Sequence, residues 1–194
     1  MDNNISFTSL IKPVGLGAFH TIAARMPQTS YVAPPWTLKE AALAADVFTK
    51  SVMDCSVYIL SDGQKAKMYH ICPGCADAKN FGKVEKDIEA TFDLNSEDIE
   101  AFVLGAKPPY KVGDESYELF EKFEKFSEKY NIPTTILKGG SGERSFAYSS
   151  TTDTLYIANT EPFNRDFKQL ASPLDVLKNW FDKVVIHSKD NVTF

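Results

Sequence analysis

One hairpin constrains the fold of this chain more than any other feature of its sequence. Residues Cys55–Leu60 are rich in β-branched and aromatic side chains, which favour a strand, and Lys65–Ile71 follow as the returning strand. Asp62-Gly63, between them, is typical of a two-residue type I′ turn. With that turn, Cys55 lies directly opposite His70 on one face of the sheet. We therefore expect a thiol and an imidazole on paired residues, with their Cα atoms about 4.5–5.5 Å apart.

The rest of the chain mixes helical and strand patterns. Thr37 and Glu40 form a capping box, which predicts a helix from Thr37 to about Phe48, whereas residues 1–36 predict irregular or short-stranded structure. Further helices are predicted at 83–91, at 97–103 after Ser96, at 114–130 and at 173–183, and further strands at 134–137, 145–149, 154–158 and near the C-terminus. This pattern indicates an α+β fold, in which a β-sheet or β-sandwich core of antiparallel hairpins is covered by helices in a single domain spanning residues 1–194.

The composition is that of an ordinary soluble protein and narrows the classes of partner. Hydrophobic residues make up 43% and charged residues 24% of the chain, and the net charge of −5 argues against a nucleic-acid-binding surface. No stretch approaches the ~18 apolar residues of a membrane span. The first residues lack the basic and apolar regions of a signal peptide, and an odd number of cysteines does not make a disulfide framework. We expect a protein that is made in the cytoplasm, with neither nucleic acid nor membrane as partner.

Cys55 and His70 are predicted on the more apolar face of the hairpin. The other members of that face are Val57, Ile59, Ala66 and Met68. Because partial burial strengthens charge interactions, a thiolate–imidazolium pair there would activate Cys55 as a nucleophile. The alternative is a buried structural cysteine beside a hydrogen-bonded histidine.

A wider pattern around this pair resembles known enzymes. Thr49 stands six residues before Cys55, and His70 follows on the second strand, with Pro73 after it. This pattern resembles the CheD family of glutamine deamidases. It is also similar to the Burkholderia lethal factor-like deamidases, which share the Thr-Cys-His arrangement, and to the cytotoxic necrotizing factor catalytic domains in its Cys-to-His spacing. The resemblance implies that Cys55 is the nucleophile, that His70 is its acid–base partner and that Thr49 orients the His70 ring.

A second stretch resembles the C-terminal half of CheD-like proteins in the order and spacing of its parts. It runs from the predicted helix 114–130 through a glycine-rich turn at 139–144 to the last predicted hairpin. Because this region lies near the catalytic hairpin in that family, the resemblance implies a substrate contact for Arg144. The turn lacks the Lys-Ser/Thr of a P-loop, so we do not expect it to bind phosphate.

The resemblance predicts a protein glutamine deamidase that works without a cofactor. A Gln side chain of a target protein would become Glu through a thioester on Cys55, with the backbone N–H groups of Asp54 and Cys55 holding the oxyanion. Transglutamination would use the same residues. CheD-like proteins carry Gly and Ser just before the nucleophile, where this chain has Val52-Met53-Asp54. The resemblance therefore implies a bacterial effector or toxin rather than a chemotaxis enzyme, with a host protein as substrate and a leaderless route of secretion.

The same region supports two other interpretations. Cys55, His70, Cys72 and Cys75 are four potential zinc ligands, and Cys72-Pro73-Gly74-Cys75 is a CxxC of the kind found in zinc knuckles. Such a site would make the chain a zinc-stabilised binding module without catalysis. Alternatively, Cys72 and Cys75 form a redox dithiol or are simply two thiols in a turn.

Overall fold

The computed structural model describes residues 9–33, 42–140, 142–160 and 172–186. The strands are β1 (Leu10–Pro13), β2 (Ala42–Ala44), β3 (Asp46–Val52), β4 (Ser56–Ser61), β5 (Ala66–Ile71), β6 (Glu100–Gly105), β7 (Thr134–Lys138), β8 (Arg144–Ser149), β9 (Thr154–Asn159) and β10 (Lys183–Val185). The helices are α1 (Leu16–Arg25), α2 (Ala76–Lys79), α3 (Gly82–Thr91), α4 (Glu115–Lys129) and α5 (Pro173–Trp180), with a 3₁₀ turn at Gln28–Ser30. Within these ranges, every helix is too short or too polar to cross a membrane.

The described strands form two sheets. One has the order β1-β9-β8-β3 and the other the order β10-β7-β6-β4-β5-β2. The pairs β1–β9 and β6–β7 are parallel, and the remaining neighbours are antiparallel. Among the residues of the predicted site, Thr49 lies in β3 of the smaller sheet and His70 in β5 of the larger sheet, and Cys55 lies just before β4.

The sheets lie face to face with helices on both outer sides. Side chains from both sheets, such as Val57 of β4 and Phe146 of β8, form a shared core between them. A second core joins the outer face of the larger sheet to α3 and α4, and a third joins the smaller sheet to α1. The predicted α+β fold, a sheet core covered by helices, is therefore confirmed. Both faces of the β4–β5 hairpin are buried, one by the opposite sheet and one by helices.

Helix α4 confirms the clearest helical pattern of the sequence. Asp114 caps its first turn by accepting a hydrogen bond from the N–H of Tyr117. The predicted aromatic stripe is the buried face of this helix, and the Phe123 ring stacks on Tyr58 of β4 with the ring centroids 4.7 Å apart. This contact fixes the hairpin from its outer side.

Three helical assignments made from the sequence are corrected. Residues 16–25 form α1, although residues 1–36 were predicted to be irregular or short-stranded. In the described part of the predicted helix 37–48, residues 42–44 and 46–48 belong to strands, because pairing with β5 and β8 outweighs the helix propensity of an Ala-rich run. The predicted helix 97–103 is instead a turn followed by β6, whose apolar run lies at the centre of the larger sheet.

The hairpin of β4 and β5 confirms two predicted strands and corrects their register. Its loop holds four residues, 62–65, rather than two. The Asp62 carboxylate accepts hydrogen bonds from two backbone N–H groups of this loop, at 3.0 and 3.1 Å, and so stabilises the wider turn. As a result Val57, and not Cys55, lies opposite His70.

Candidate active site

Cys55 lies just before β4, one position beyond the last residue pair of the hairpin ladder. Extending the observed register places it opposite Cys72, and the two Sγ atoms are 3.1 Å apart. The register differs from the predicted one by two residues. Because side chains alternate between the faces of a strand, Cys55 and His70 still share a face. They are diagonal neighbours there, at a typical separation of about 7–8 Å, which an imidazole and a thiol can bridge.

Thr49 reaches His70 from the opposite sheet. The Thr49 Oγ1 atom lies 2.7 Å from His70 Nδ1 and 2.6 Å from the carbonyl oxygen of Val32, and all three residues are fully buried. Just after Thr49, the register of β3 against β8 shifts, and Ser51 has a φ of 61°. Such bulges change the direction in which a strand presents its side chains. The structure therefore contains the Thr49–His70 contact that the resemblance implies.

The hydrogen bond to Val32 determines which nitrogen of His70 carries the proton. A carbonyl oxygen only accepts, so the single hydroxyl proton of Thr49 is donated to Val32. Thr49 must then accept from His70, which requires Nδ1 to be protonated. In the neutral ring, Nε2 is therefore an unprotonated acceptor. This Nε2 is buried and has no hydrogen-bond partner among the described residues.

Burial keeps both members of the Cys55–His70 pair uncharged. It raises the pKa of the Cys55 thiol, and the contacts with Cys72 and with the Asp54 carboxylate, 3.9 Å away, raise it further. It also lowers the pKa of His70 to about 4, against a smaller opposing effect of Asp54. The resting site therefore holds a neutral thiol and a neutral imidazole, which corrects the expected ion pair. The physical reason is desolvation, which penalises both charges at once.

The backbone at Asp54 and Cys55 is fixed by two neighbouring elements. A Cβ on Gly105 would lie 2.4 Å from the Cys55 carbonyl oxygen, and Gly105 has a φ of 109°, so only glycine lets β6 pass this closely. The Ala106 N–H donates to the same carbonyl at 3.4 Å, and the Ser116 hydroxyl of α4 donates to the Asp54 carbonyl at 2.6 Å. The oxyanion role of the Asp54 and Cys55 N–H groups stays a prediction.

The four potential zinc ligands do not converge. Cys75 is the N-cap of α2, where its sulfur accepts a hydrogen bond from the Ala78 N–H at 3.4 Å, while the Cys72 sulfur contacts Cys55. Across the described ranges, no group of three or more His, Cys, Asp or Glu side chains is arranged to hold a metal ion. The geometry therefore offers no shared ligand set of Cys55, His70, Cys72 and Cys75.

Arg144 does not lie where a docked protein could touch it. It is fully buried, its guanidinium carbon lies 4.8 Å from the centre of the Phe181 ring, and burial lowers its pKa to about 10. The substrate contact implied by the resemblance is therefore corrected to a place in the core, where Arg144 is paired through its backbone with Val52 of β3. His20 is exposed on α1, and His187 lies outside the described residues.

Sequence reasoning missed three parts of the site. No local pattern indicates that the Val32 carbonyl meets Thr49, because the contact joins separate elements of the sandwich. The Cys55–Cys72 contact depends on the register of β4 against β5. The Asp62-Gly63 pattern predicts a two-residue turn, whereas the loop has four residues, so the predicted register pairs Cys55 with a different residue. Gly105 ends an apolar strand, and an isolated glycine in that position is a signal for close backbone approach.

No protein-family model and no curated protein matches this sequence.

Proposed function

We propose that the chain is a cysteine-dependent protein glutamine deamidase with Cys55 as nucleophile, His70 as general base and acid, and Thr49 as the residue that orients His70. One observation carries this proposal. The Val32–Thr49–His70 chain of hydrogen bonds leaves Nε2 as a free acceptor on the face that His70 shares with Cys55. A histidine held by a third group beside a thiol is the arrangement that activates cysteine nucleophiles.

The reaction begins from the neutral pair. The Cys55 side chain turns from Cys72 toward His70, and Nε2 takes the thiol proton as Sγ attacks the amide carbon of a Gln side chain. The predicted oxyanion donors at Asp54 and Cys55 stabilise the tetrahedral intermediate. His70 then protonates the departing nitrogen, the C–N bond breaks, and ammonia leaves a thioester on Cys55.

Hydrolysis repeats the same proton transfers with water. Nε2 removes a proton from a water molecule, which attacks the thioester carbon, and the C–S bond breaks to give Glu and the Cys55 thiol. Burial lowers the pKa of His70 to about 4, so Nε2 is unprotonated at neutral pH before it accepts each of these protons. An amine in place of water would give transglutamination by the same residues.

The nature of the substrate follows from the resemblance of the Thr49, Cys55 and His70 pattern to protein deamidases. We propose a Gln side chain on a host protein as substrate and a bacterial effector or toxin role for the chain.

The experiment incubates the reduced protein with a cytosolic extract of cultured animal cells and measures ammonia release and Gln-to-Glu conversion by mass spectrometry. The matched variants are Cys55→Ala and Cys75→Ala, since Cys75 is a buried thiol outside the site. We expect conversion at discrete Gln residues with the wild type and Cys75→Ala, and none with Cys55→Ala. Equal conversion by the wild type and Cys55→Ala, or none by either, would overturn the proposal.

A further inference from the structure

We propose that Cys55 and Cys72 form a site of reversible oxidation, which a low-molecular-weight disulfide such as glutathione disulfide closes as a bond between the two strand ends. Both are free thiols, and their Sγ atoms lie 3.1 Å apart. The contact joins Cys72, one member of the CxxC pair that the sequence singles out, to Cys55, which lies outside that pair. It therefore assigns Cys72 a partner other than Cys75.

The backbone geometry suits such a bond. Opposite residues of antiparallel strands have Cα atoms about 4.5–5.5 Å apart, which lies inside the range of about 4.4–6.8 Å for disulfides. Cys55 is held at this position by the close passage of Gly105 and by the hydrogen bond from Ala106. Only a small movement of the two side chains is needed. Cys75, in contrast, uses its sulfur to accept the Ala78 N–H at the start of α2.

The order of the reaction follows from exposure. Cys72 is partly exposed, whereas Cys55 is only 6% exposed, so the small disulfide meets Cys72 first. The Cys72 thiolate attacks one sulfur of glutathione disulfide, whose S–S bond breaks, and one glutathione leaves as thiolate. The Cys55 thiol then loses its proton as its sulfur attacks the Cys72 sulfur, which forms the Cys55–Cys72 bond and releases the second glutathione. Two cysteine thiols are oxidised with loss of two protons, and one glutathione disulfide is reduced to two glutathiones.

The bond would remove the sulfur that the proposed deamidase needs. This consequence rests on the proposed function, whereas the disulfide itself does not. Because the bond can be mapped without any substrate, a failure to find deamidation leaves the test of the disulfide intact. Likewise, a failure to find the disulfide leaves the test of deamidation intact.

The test equilibrates reduced protein with glutathione and glutathione disulfide at a series of ratios, quenches with acid and alkylates the free thiols. Tryptic peptides are then mapped by mass spectrometry without reduction. The peptide that contains Cys55 should become linked to the one that contains Cys72 and Cys75 as glutathione disulfide comes into excess. The link should persist in Cys75→Ser and be lost in Cys72→Ser and Cys72→Ala, and excess glutathione should reverse it.

Three results would overturn the proposal. One is a persistent link to Cys55 in the Cys72 variants, and another is a bond between Cys72 and Cys75 as the main product in the wild type. The third is a Cys55 that stays fully alkylated at every ratio while the protein unfolds cooperatively. Cooperative unfolding of Cys72→Ala, measured in urea, shows that loss of the link does not come from a failure to fold.

Discussion

Replacing Thr49 by Val removes the hydroxyl that joins the two sheets at His70 while keeping the volume of the side chain. The change leaves the Val32 carbonyl and His70 Nδ1 buried without their shared partner. Each unsatisfied buried group costs about 1–3 kcal/mol, so we expect Thr49→Val, which leaves two such groups, to lower the free energy of unfolding by about 2–6 kcal/mol. Thr49→Ser keeps the hydroxyl and loses one buried methyl group, which costs about 1 kcal/mol.

Urea denaturation followed by circular dichroism measures both free energies by linear extrapolation. Ring-nitrogen NMR of His70 provides a second readout, with Nδ1 protonated and Nε2 unprotonated in the wild type and in Thr49→Ser. The reasoning would be refuted if Thr49→Ser were as destabilising as Thr49→Val, or if the proton were found on Nε2 in the wild type.

Further predictions concern the groups around the site and Glu100, a buried carboxylate at the start of β6 in the larger sheet. Burial lowers the pKa of His70 from 6.5 to about 4, so between these pH values the unfolded chain binds more protons than the folded chain. The contribution of His70 to stability is therefore lost as pH falls from about 6.5 to 4. Urea titrations should show His70→Asn gaining stability relative to the wild type over that window, by up to about 3 kcal/mol. Burial raises the pKa of Glu100 to about 7, so its cost appears as pH rises from about 4.5 to 7, and Glu100→Gln should gain relative stability in that direction in the same assay. A constant difference across either window would contradict the corresponding prediction. Gly105→Ala should destabilise the fold by about 2 kcal/mol or more in thermal unfolding, because its Cβ would clash with the Cys55 carbonyl. Gly17→Ala, which has open space around it on α1, should be neutral or stabilising. Equal effects of the two substitutions would contradict the prediction.

Local patterns predicted the elements whose stability is local. The aromatic face of α4 was predicted correctly because helical periodicity defines it, and the hairpin strands because β-branched and aromatic side chains favour extended structure. The region 42–48 was wrong because an Ala-rich run carries helix propensity, and only pairing with distant strands makes it extended. The predicted helix 97–103 was also wrong, because pairing with β4 and β7 makes residues 100–103 extended.

In the site, too, the features that depend on local sequence were predicted from it, and those that depend on contacts between distant segments were not. Cys55 and His70 share a face because alternation survives a shift of two residues, so an error in the turn left that prediction intact. The charge state could not be predicted, since it depends on burial between two sheets that no local pattern reveals. The Val32 carbonyl, which determines the His70 tautomer, lies 17 residues before Thr49 and is brought there only by the completed sandwich.

The central claim is that neutral His70 activates Cys55, and residue-resolved alkylation tests it most directly. Reduced wild type and His70→Asn are treated with iodoacetamide at neutral pH, and the rates at Cys55 and Cys75 are followed by mass spectrometry. A general base contributes about 10²–10⁴-fold, so we expect Cys55 to slow by at least ~10-fold in His70→Asn while Cys75 is unchanged. An unchanged or faster Cys55 in His70→Asn, with Cys75 again unchanged, would contradict the account.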